Sequence, residues 1–435
     1  MNRILWIYNL IFPLALVAAA PWWLLRMATT ARYREGLAER LGRIPERFLR
    51  TRDDRDVLWV HAVSVGEVMA VVRLIHALDA ALPQMRVVLS TTTRTGQQIA
   101  RARLGEERVF YCPLDIAWAT RAWLRALRPK LLVLVETEFW PGLMHACFRR
   151  GIPVMAINAR ISDRSWPRYR RLRIFWKPLL SRMRESLAQS DLDAERLRAL
   201  GCRGVKTVGN LKYDLREEAN ARLAQLLRRL APALRWVVAG STLEGEEKGL
   251  IEAWKRLTET RHDLALLLAP RHPERFAAVG RMLNESGTRW RRRSELTEDA
   301  QPVSVGEVIL LDTIGELAAA YSLGTVAFVG GSVARAGGHN PLEPAIYAVP
   351  AVMGPHVENF RAIVADLRAE DAILVTQSEE FEEVRVMLEK LLDDEASASA
   401  LGERARRILA RHAGATMRTV DAICNVLQTG TERQS

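Results

Sequence analysis

The sequence predicts an α/β chain built as two doubly wound parallel sheets, each in its own domain. Three observations carry that prediction. From residue 57 onward, short apolar runs alternate with helical stretches, which gives parallel strands covered by helices on both faces. The alternation comes in two series with a strandless, charged segment between them. Polar and glycine-rich clusters follow the apolar runs, where the carboxyl ends of parallel strands carry ligands. A chain of 435 residues, 49% of them hydrophobic, has room for two or three domains with ample core.

The first element is Ile4–Leu25, 22 residues without a charge and long enough to span a bilayer. Pro13, Pro21 and Asn9 weaken it as a straight helix, while Trp6, Tyr8, Trp22 and Trp23 resemble interfacial anchors. A cleaved signal peptide is the rival, with Ala18-Ala19-Ala20 as its cleavage region. Pro21 directly after it, and the flank of Arg26, Arg32, Arg34, Arg40 and Arg43, favour a retained anchor over residues 1–26. On that reading the protein sits at the inner (cytoplasmic) membrane with the rest of the chain on the cytoplasmic side.

The strands of the first series are Val57–His61, Val87–Ser90, Leu131–Val135 and Val154–Ile157. Those of the second are Trp236–Ala239, Leu264–Ala269, Val308–Leu311, Val326–Val329 and Ala351–Met353. The expected boundaries are a first domain over 27–214, a linker over 215–234, a second domain over 235–420 and a tail over 421–435. Two such sheet edges facing each other would enclose a central cleft.

Charge divides the same way. Residues 1–215 hold 36 Lys and Arg against 19 Asp and Glu, a balance of +17, while the remainder hold 27 against 32, a balance of −5. The basic first half calls for an anionic partner or surface. Arg160–Arg184 concentrates that charge: nine basic residues and one acid, Asp163, interleaved with Trp166, Tyr169, Phe175 and Trp176. Such a mixture suits nucleic acid, but beside an apolar anchor a membrane surface or phosphorylated glycolipid explains it better; a plain solvated helix face is the third reading. Cys112, Cys147, Cys202 and Cys424 lie far apart without a CxxC, so reduced, buried thiols are expected. Neither they nor the eight histidines show metal-ligand spacing.

The densest signal is Val326–Ala345. A buried strand leads into Gly330, Gly331, Gly337 and Gly338, and then into a helix start with Asn340 as cap, Pro341 in the first position and Glu343 three residues past the cap. Pro344 keeps that helix short or irregular. Free amides at such a turn predict an anion site. Glu343 is either a capping carboxylate or an acceptor for a ribose hydroxyl pair. Neither GxGxxG nor a Walker loop is present, so neither a dinucleotide nor an NTPase is indicated.

Other candidates follow other strands. Glu67, in Ser64-Val-Gly-Glu67, is either the third residue of a capping box or a general base. Glu136 and Glu138 end an apolar strand, where a carboxylate is costly unless paired or used; continued alternation would put both on one face. Lys212 lies at the domain junction, as a surface lysine or as a cation for an anionic donor. Arg271, fixed between Pro270 and Pro273, suits phosphate or carboxylate, and His272 reads as a structural hydrogen-bonding residue of that turn.

Taken together these stretches resemble the Kdo (3-deoxy-D-manno-octulosonic acid) transferase family of lipopolysaccharide assembly. The resemblance rests on HAVSVGE (61–67), TTTRTG (91–96), ETEFWP (136–141), NARISDRS (158–165), VGNLKYD (208–214), GSTLEGEE (240–247), APRHPERF (269–276), DTIGEL (312–317), FVGGSVARAGGHNPLEPA (328–345) and MGPHVENF (353–360), in that order. It implies a GT-B glycosyltransferase of two Rossmann-like domains, with the acceptor on the first and CMP-Kdo on the second. Glu67 would be the general base on a hydroxyl of the lipid A precursor, and Glu136 and Lys212 would stabilise the transition state. Pro270, Arg271, Ile314, Gly315, Glu316, Asn340, Pro341, Leu342 and Glu343 would hold CMP. Leu243 departs from the pattern, standing where the family often has histidine.

A monophosphate donor needs no divalent metal if a helix start and one arginine hold its phosphate, and the implied displacement inverts the sugar. The implied partners are the donor, an anionic glycolipid and the membrane surface, not nucleic acid. A non-catalytic glycolipid-binding module is one rival, opposed by the joint presence of Glu67, Arg271 and Glu343. A GT-B transferase or epimerase using a UDP-sugar is another, opposed by the few cations near the glycine turn.

Overall fold

A computed structural model of the chain describes residues 35–50, 55–63, 65–215 and 222–431. The expected anchor over residues 1–26 lies outside the described residues, as does Ser64. Two compact units emerge. One is built from residues up to Asp214 together with those from Gly414 onward, the other from Leu215–Ala413.

The first unit contains β1 (Asp56–His61), β2 (Met85–Thr91), β3 (Val109–Tyr111), β4 (Pro129–Val135), β5 (Val154–Ala159), β6 (Glu185–Ala188) and β7 (Val205–Thr207). They form one sheet in the order β3-β2-β1-β4-β5-β6-β7, with every pairing parallel. The second unit repeats the plan with β8 (Arg235–Thr242), β9 (Leu264–Pro270), β10 (Trp290–Arg292), β11 (Val308–Leu310), β12 (Gly324–Val329), β13 (Ala351–Met353) and β14 (Leu374–Val375), ordered β10-β11-β9-β8-β12-β13-β14 and again parallel. Both sheets are Rossmann-like. Their central strands are apolar throughout because helices cover both faces: Leu131–Val135 and Leu264–Ala269 are wholly buried. Each such side chain contributes about 1.5–3 kcal/mol on leaving water.

Every strand expected from the sequence is present. The five short outer ones, β3, β6, β7, β10 and β14, carry too few apolar residues to register as runs; Trp290-Arg-Arg292 and Val205-Lys-Thr207 are the plainest cases.

The expected boundaries shift at both ends of the second domain. Arg222–Leu230 is a helix, but not a linker: Leu223, Ala224, Leu227 and Leu230 are buried in the second unit, and the Val303 amide donates to the Leu230 carbonyl at 2.9 Å. The chain's last helix, Ala415–Thr431, belongs to the first unit and is no free tail. Val420, Ile423 and Val426 recur at helical spacing and join the core that includes Val71, Leu74 and Ile75 of the helix Val65–Ala81. The Asp214 carboxylate fastens the return by accepting from the backbone amides of Gly414 and Thr416. Among the described residues no helix is long and apolar enough to cross a membrane.

Candidate active site

In the first sheet, strand order reverses between β1 and β4. In an open parallel sheet this is where the loops diverge and leave a ligand site at the carboxyl ends. The loop after β1 leads to Glu67, and the loop after β4 carries Glu136 and Glu138. Glu67 is buried in the first turn of its helix, and one of its oxygens accepts from the Val63 amide at 2.8 Å. The capping reading of Glu67 therefore has a physical basis in a bond from its carboxylate to the loop that precedes the helix. Thr93 braces the same loop: its hydroxyl donates to the Val63 carbonyl at 3.0 Å and accepts from the Gly96 amide at 3.1 Å. At the end of β1, His61 is fully buried, its Nδ1 2.9 Å from the Ser90 hydroxyl. Burial pushes its pKa down to about 4.

Glu136 does not continue the strand, contrary to the alternation expected for it and Glu138. Its φ is +55°, in the left-handed region, and β4 stops at Val135. A non-glycine residue held there stores about 1–3 kcal/mol, a cost met chiefly at functional sites. The turn brings Glu136 Oε1 to 3.5 Å from Lys212 Nζ. Lys212 is placed by asparagines: Asn158 Oδ1 accepts from the Leu211 amide and Asn210 Oδ1 from the Lys212 amide, both at 3.0 Å. Glu138 is pushed up to about pKa 7 by burial first, then by the charges of Glu67 and Glu136. Three carboxylates thus share this edge in three different states. One meets a lysine, one accepts a backbone amide, and one holds a proton near neutrality.

In the second sheet the reversal falls between β8 and β12, and here the glycine turn departs from expectation. The Glu246 carboxylate, fully buried, already occupies its converging amides. Oε2 accepts from Leu243 at 3.0 Å and Gly331 at 2.7 Å; Oε1 accepts from Ser332 at 3.0 Å, Val333 at 2.9 Å and Ala334 at 3.1 Å. A side chain, not a ligand, fills this anion nest. Gly330 is needed for the approach, since a Cβ there would lie 2.6 Å from the Ser241 carbonyl oxygen and 2.9 Å from Glu246 Oε2. The following helix, Leu342–Ala345, is only one turn long, too short to add a substantial dipole. Pro341, not Asn340, takes the cap position; Asn340 lies one residue earlier and accepts from the Leu342 amide at 3.1 Å. Pro341 and Leu342 are buried, while Glu343 is half-buried with its charge bearing on Tyr321.

The remaining predicted residues lie on loops of the same unit. Pro270 ends β9 buried, and Arg271 follows it exposed. The Arg271 amide donates to the Thr242 carbonyl at 2.9 Å, yet its guanidinium has no ion-pair partner among the described residues. Arg275 in the next turn is engaged by Glu244 at 3.0 Å and Glu247 at 3.2 Å. His272 is exposed and lines a recess of about 480 Å³ with Leu243, Glu244, Glu274, Arg275 and Arg335, rather than bonding within the turn through its ring. Ile314 is 82% exposed and Gly315 has a φ of +89°. Glu316 is taken up by Arg293 at 2.9 Å and by the Thr313 hydroxyl.

Sequence reasoning missed Glu246, whose signal was an acidic pair, Glu246-Glu247, opening a helix directly after a buried strand. It also passed over His339, within the glycine turn. In the basic stretch the aromatics turn inward: Tyr169 and Trp176 pack at 5.3 Å and both meet Phe139. That leaves Arg168, Arg170, Arg171, Arg173 and Lys177 exposed beside Leu172 and Ile174, the latter 79% accessible. No aromatic platform for stacking bases is presented there.

Comparison with known proteins adds four likenesses. Residues 35–215 match the family model described as 3-deoxy-D-manno-octulosonic-acid transferase (kdotransferase). The 3-deoxy-D-manno-octulosonic acid transferase of Haemophilus influenzae is 34% identical over 397 residues, covering 90% of this chain and 91% of its own. The protein of the same name from Bordetella pertussis is 35% identical over 380 residues, covering 84% and 86%. Among solved structures, Acinetobacter baumannii MurG covers 85% of this chain and 99% of its own with a TM-score of 0.51; at 15% identity that likeness concerns the fold, which is GT-B-like.

Proposed function

The chain belongs to the 3-deoxy-D-manno-octulosonic acid transferase family and is a glycosyltransferase, and on that premise we propose that it moves Kdo from CMP-Kdo to a hydroxyl of the lipid A precursor in lipopolysaccharide synthesis. The observation that carries the mechanism is the edge of the first sheet, where Glu67 shares the field of Glu138 with a Glu136–Lys212 pair. In this reading Glu67 takes the proton of the acceptor hydroxyl as the new C–O bond forms. The Val63 amide holds its carboxylate in the first turn of the helix. The hydroxyl oxygen attacks the anomeric carbon of Kdo from the face opposite CMP, and the configuration inverts. CMP leaves with the bonding electron pair on its phosphate oxygen. Lys212 offsets the negative charge that builds on the departing phosphate, and Glu136 holds the lysine in place.

A nucleoside monophosphate suits the second unit. Its phosphate requires one strong cation, and Arg271 is uncommitted. A diphosphate donor would require more, and Arg275 and Arg293 are already paired with carboxylates. Asn340 to Glu343 and the Ile314–Glu316 loop would take the nucleoside, with Glu343 toward the ribose hydroxyls. The exposed Arg168–Lys177 surface and the apolar run Ile4–Leu25 support an anionic glycolipid acceptor met at the inner face of the cytoplasmic membrane.

Purified protein incubated with CMP-Kdo and lipid A precursor should form a Kdo-bearing product, while UDP-sugars should form none. Product from a UDP-sugar alone would overturn the donor assignment. Glu67→Gln should fold and bind CMP but lose about 10²–10⁴-fold in turnover; near wild-type turnover would reduce Glu67 to a helix cap.

A further inference from the structure

We infer that His339 is a ligand-contacting residue of the second unit, its imidazole Nε2–H donating to a phosphate oxygen of the bound nucleotide. The inference deepens the proposed function and rests on its nucleotide donor. His339 precedes Asn340 in the turn after β12, at the carboxyl edge where strand order reverses. Its Nε2 is buried and has no hydrogen-bond partner among the described residues. A polar atom in that state is costly unless something outside the chain satisfies it.

The ring is held for that purpose. The His339 amide donates to the Gly330 carbonyl at 3.1 Å, and the Gly338 amide to the Gly331 carbonyl at 2.7 Å, closing the turn on itself. The imidazole then lies over Gly331, where a Cβ would come within 2.9 Å of Nε2. Gly331 has a φ of +68°, so both its backbone and its missing side chain make room for the ring.

The electrostatic surroundings select an anion. Burial first, then the neighbouring Arg271 and His272, push the His339 pKa down to about 4. The imidazole is therefore neutral at physiological pH and keeps one N–H to donate beside an uncommitted guanidinium. A neutral donor next to a cation matches a phosphate monoester, which offers several acceptor oxygens to one strong charge. It also explains why Glu246 can fill the nest of amides 331–334 without abolishing anion binding: the phosphate would be held by side chains just beyond that nest.

Calorimetric titration of the full-length, detergent-solubilised protein with CMP and with cytidine tests this. His339→Ala should weaken CMP binding about ten- to hundred-fold, the equivalent of one charge-assisted hydrogen bond, and leave cytidine binding unchanged. His339→Gln, whose amide N–H reaches nearly as far as Nε2, should recover part of the loss. Arg271→Ala should weaken CMP to a similar degree. Unchanged CMP affinity in His339→Ala, with wild-type binding intact, would overturn this inference alone. Equal losses for CMP and cytidine without rescue by glutamine would assign the ring to holding the turn and also overturn it. Absence of CMP binding by the wild type would overturn the nucleotide donor itself and this inference with it.

Discussion

Replacing Glu246 by glutamine tests whether an internal carboxylate holds the glycine turn. The side chain accepts five backbone amides, three on Oε1 and two on Oε2, and is fully buried. Glutamine keeps the shape and one acceptor oxygen, but turns the other position into an NH₂ that faces amide donors. If the surviving oxygen takes the Oε1 position, the amides of Leu243 and Gly331 lose their acceptor. Each orphaned donor costs about 1–3 kcal/mol, so the two together cost roughly 2–6 kcal/mol before any repulsion. In a unit of this size 1 kcal/mol moves the melting temperature by about 2–4 °C. The second unit should therefore melt roughly 4–24 °C lower, with CMP binding weakened as the turn loosens. Differential scanning calorimetry with and without CMP reads both effects. A melting temperature within 2 °C of wild type would show that these bonds are replaced by water at little cost, and the structural role given to Glu246 would fall.

Two further outcomes follow from the first unit and from the membrane reading. Glu138 has a folded pKa of about 7 against an ordinary 4.5, so between those values the folded protein keeps a proton that the unfolded chain has lost. Stability is thereby undiminished below about pH 4.5, falls as pH rises, and carries the full penalty above 7. Glu138→Gln should gain in melting temperature relative to wild type progressively from pH 5 to pH 8; a constant difference would refute the shifted carboxyl. Deleting residues 1–25 should release much of the protein from membranes while sparing activity on detergent-solubilised acceptor. The residual affinity for anionic liposomes should fall with salt, each near-surface cation of 160–184 contributing about 1 kcal/mol, and salt-independent residual binding would remove the basic stretch as an electrostatic contact.

How much of this could be read from residues alone depended on whether the signal was local. The central strands were legible because burial on both faces forces an unbroken apolar run, as in Leu131–Val135. The outer strands were not, because an edge position lets polar residues in, as in Val205–Thr207. Asp214 and the amides of Gly414 and Thr416 show the same limit over distance. Nothing near residue 415 announces that its helix returns to the first unit; only the spacing of Val420, Ile423 and Val426 says that it must bury a face somewhere. Glu136 failed for a different reason. Strand alternation is a good guide only while the strand lasts, and a left-handed residue at its end re-aims everything after it.

At the glycine turn the converging amides that the sequence predicts are present, but they are taken by a side chain of the same unit rather than left for an external anion. Glycines after a buried strand do produce converging amides, and converging amides do demand an anion. Sequence cannot say whether that anion is external. Here Glu246, opening the helix Glu247–Thr260 after the neighbouring strand, is within reach and satisfies the demand permanently. The consequence for recognition is direct. Backbone amides carry no charge and cannot be tuned by substitution, whereas Arg271 and His339 can. A phosphate held by side chains outside a self-satisfied nest leaves the turn folded whether or not nucleotide is present, so the fold of the second unit should not depend on its ligand. Glu246 then sets the shape of the turn and Gly331 leaves space over it for an imidazole; on the proposed reading, the side chains in that space choose the anion.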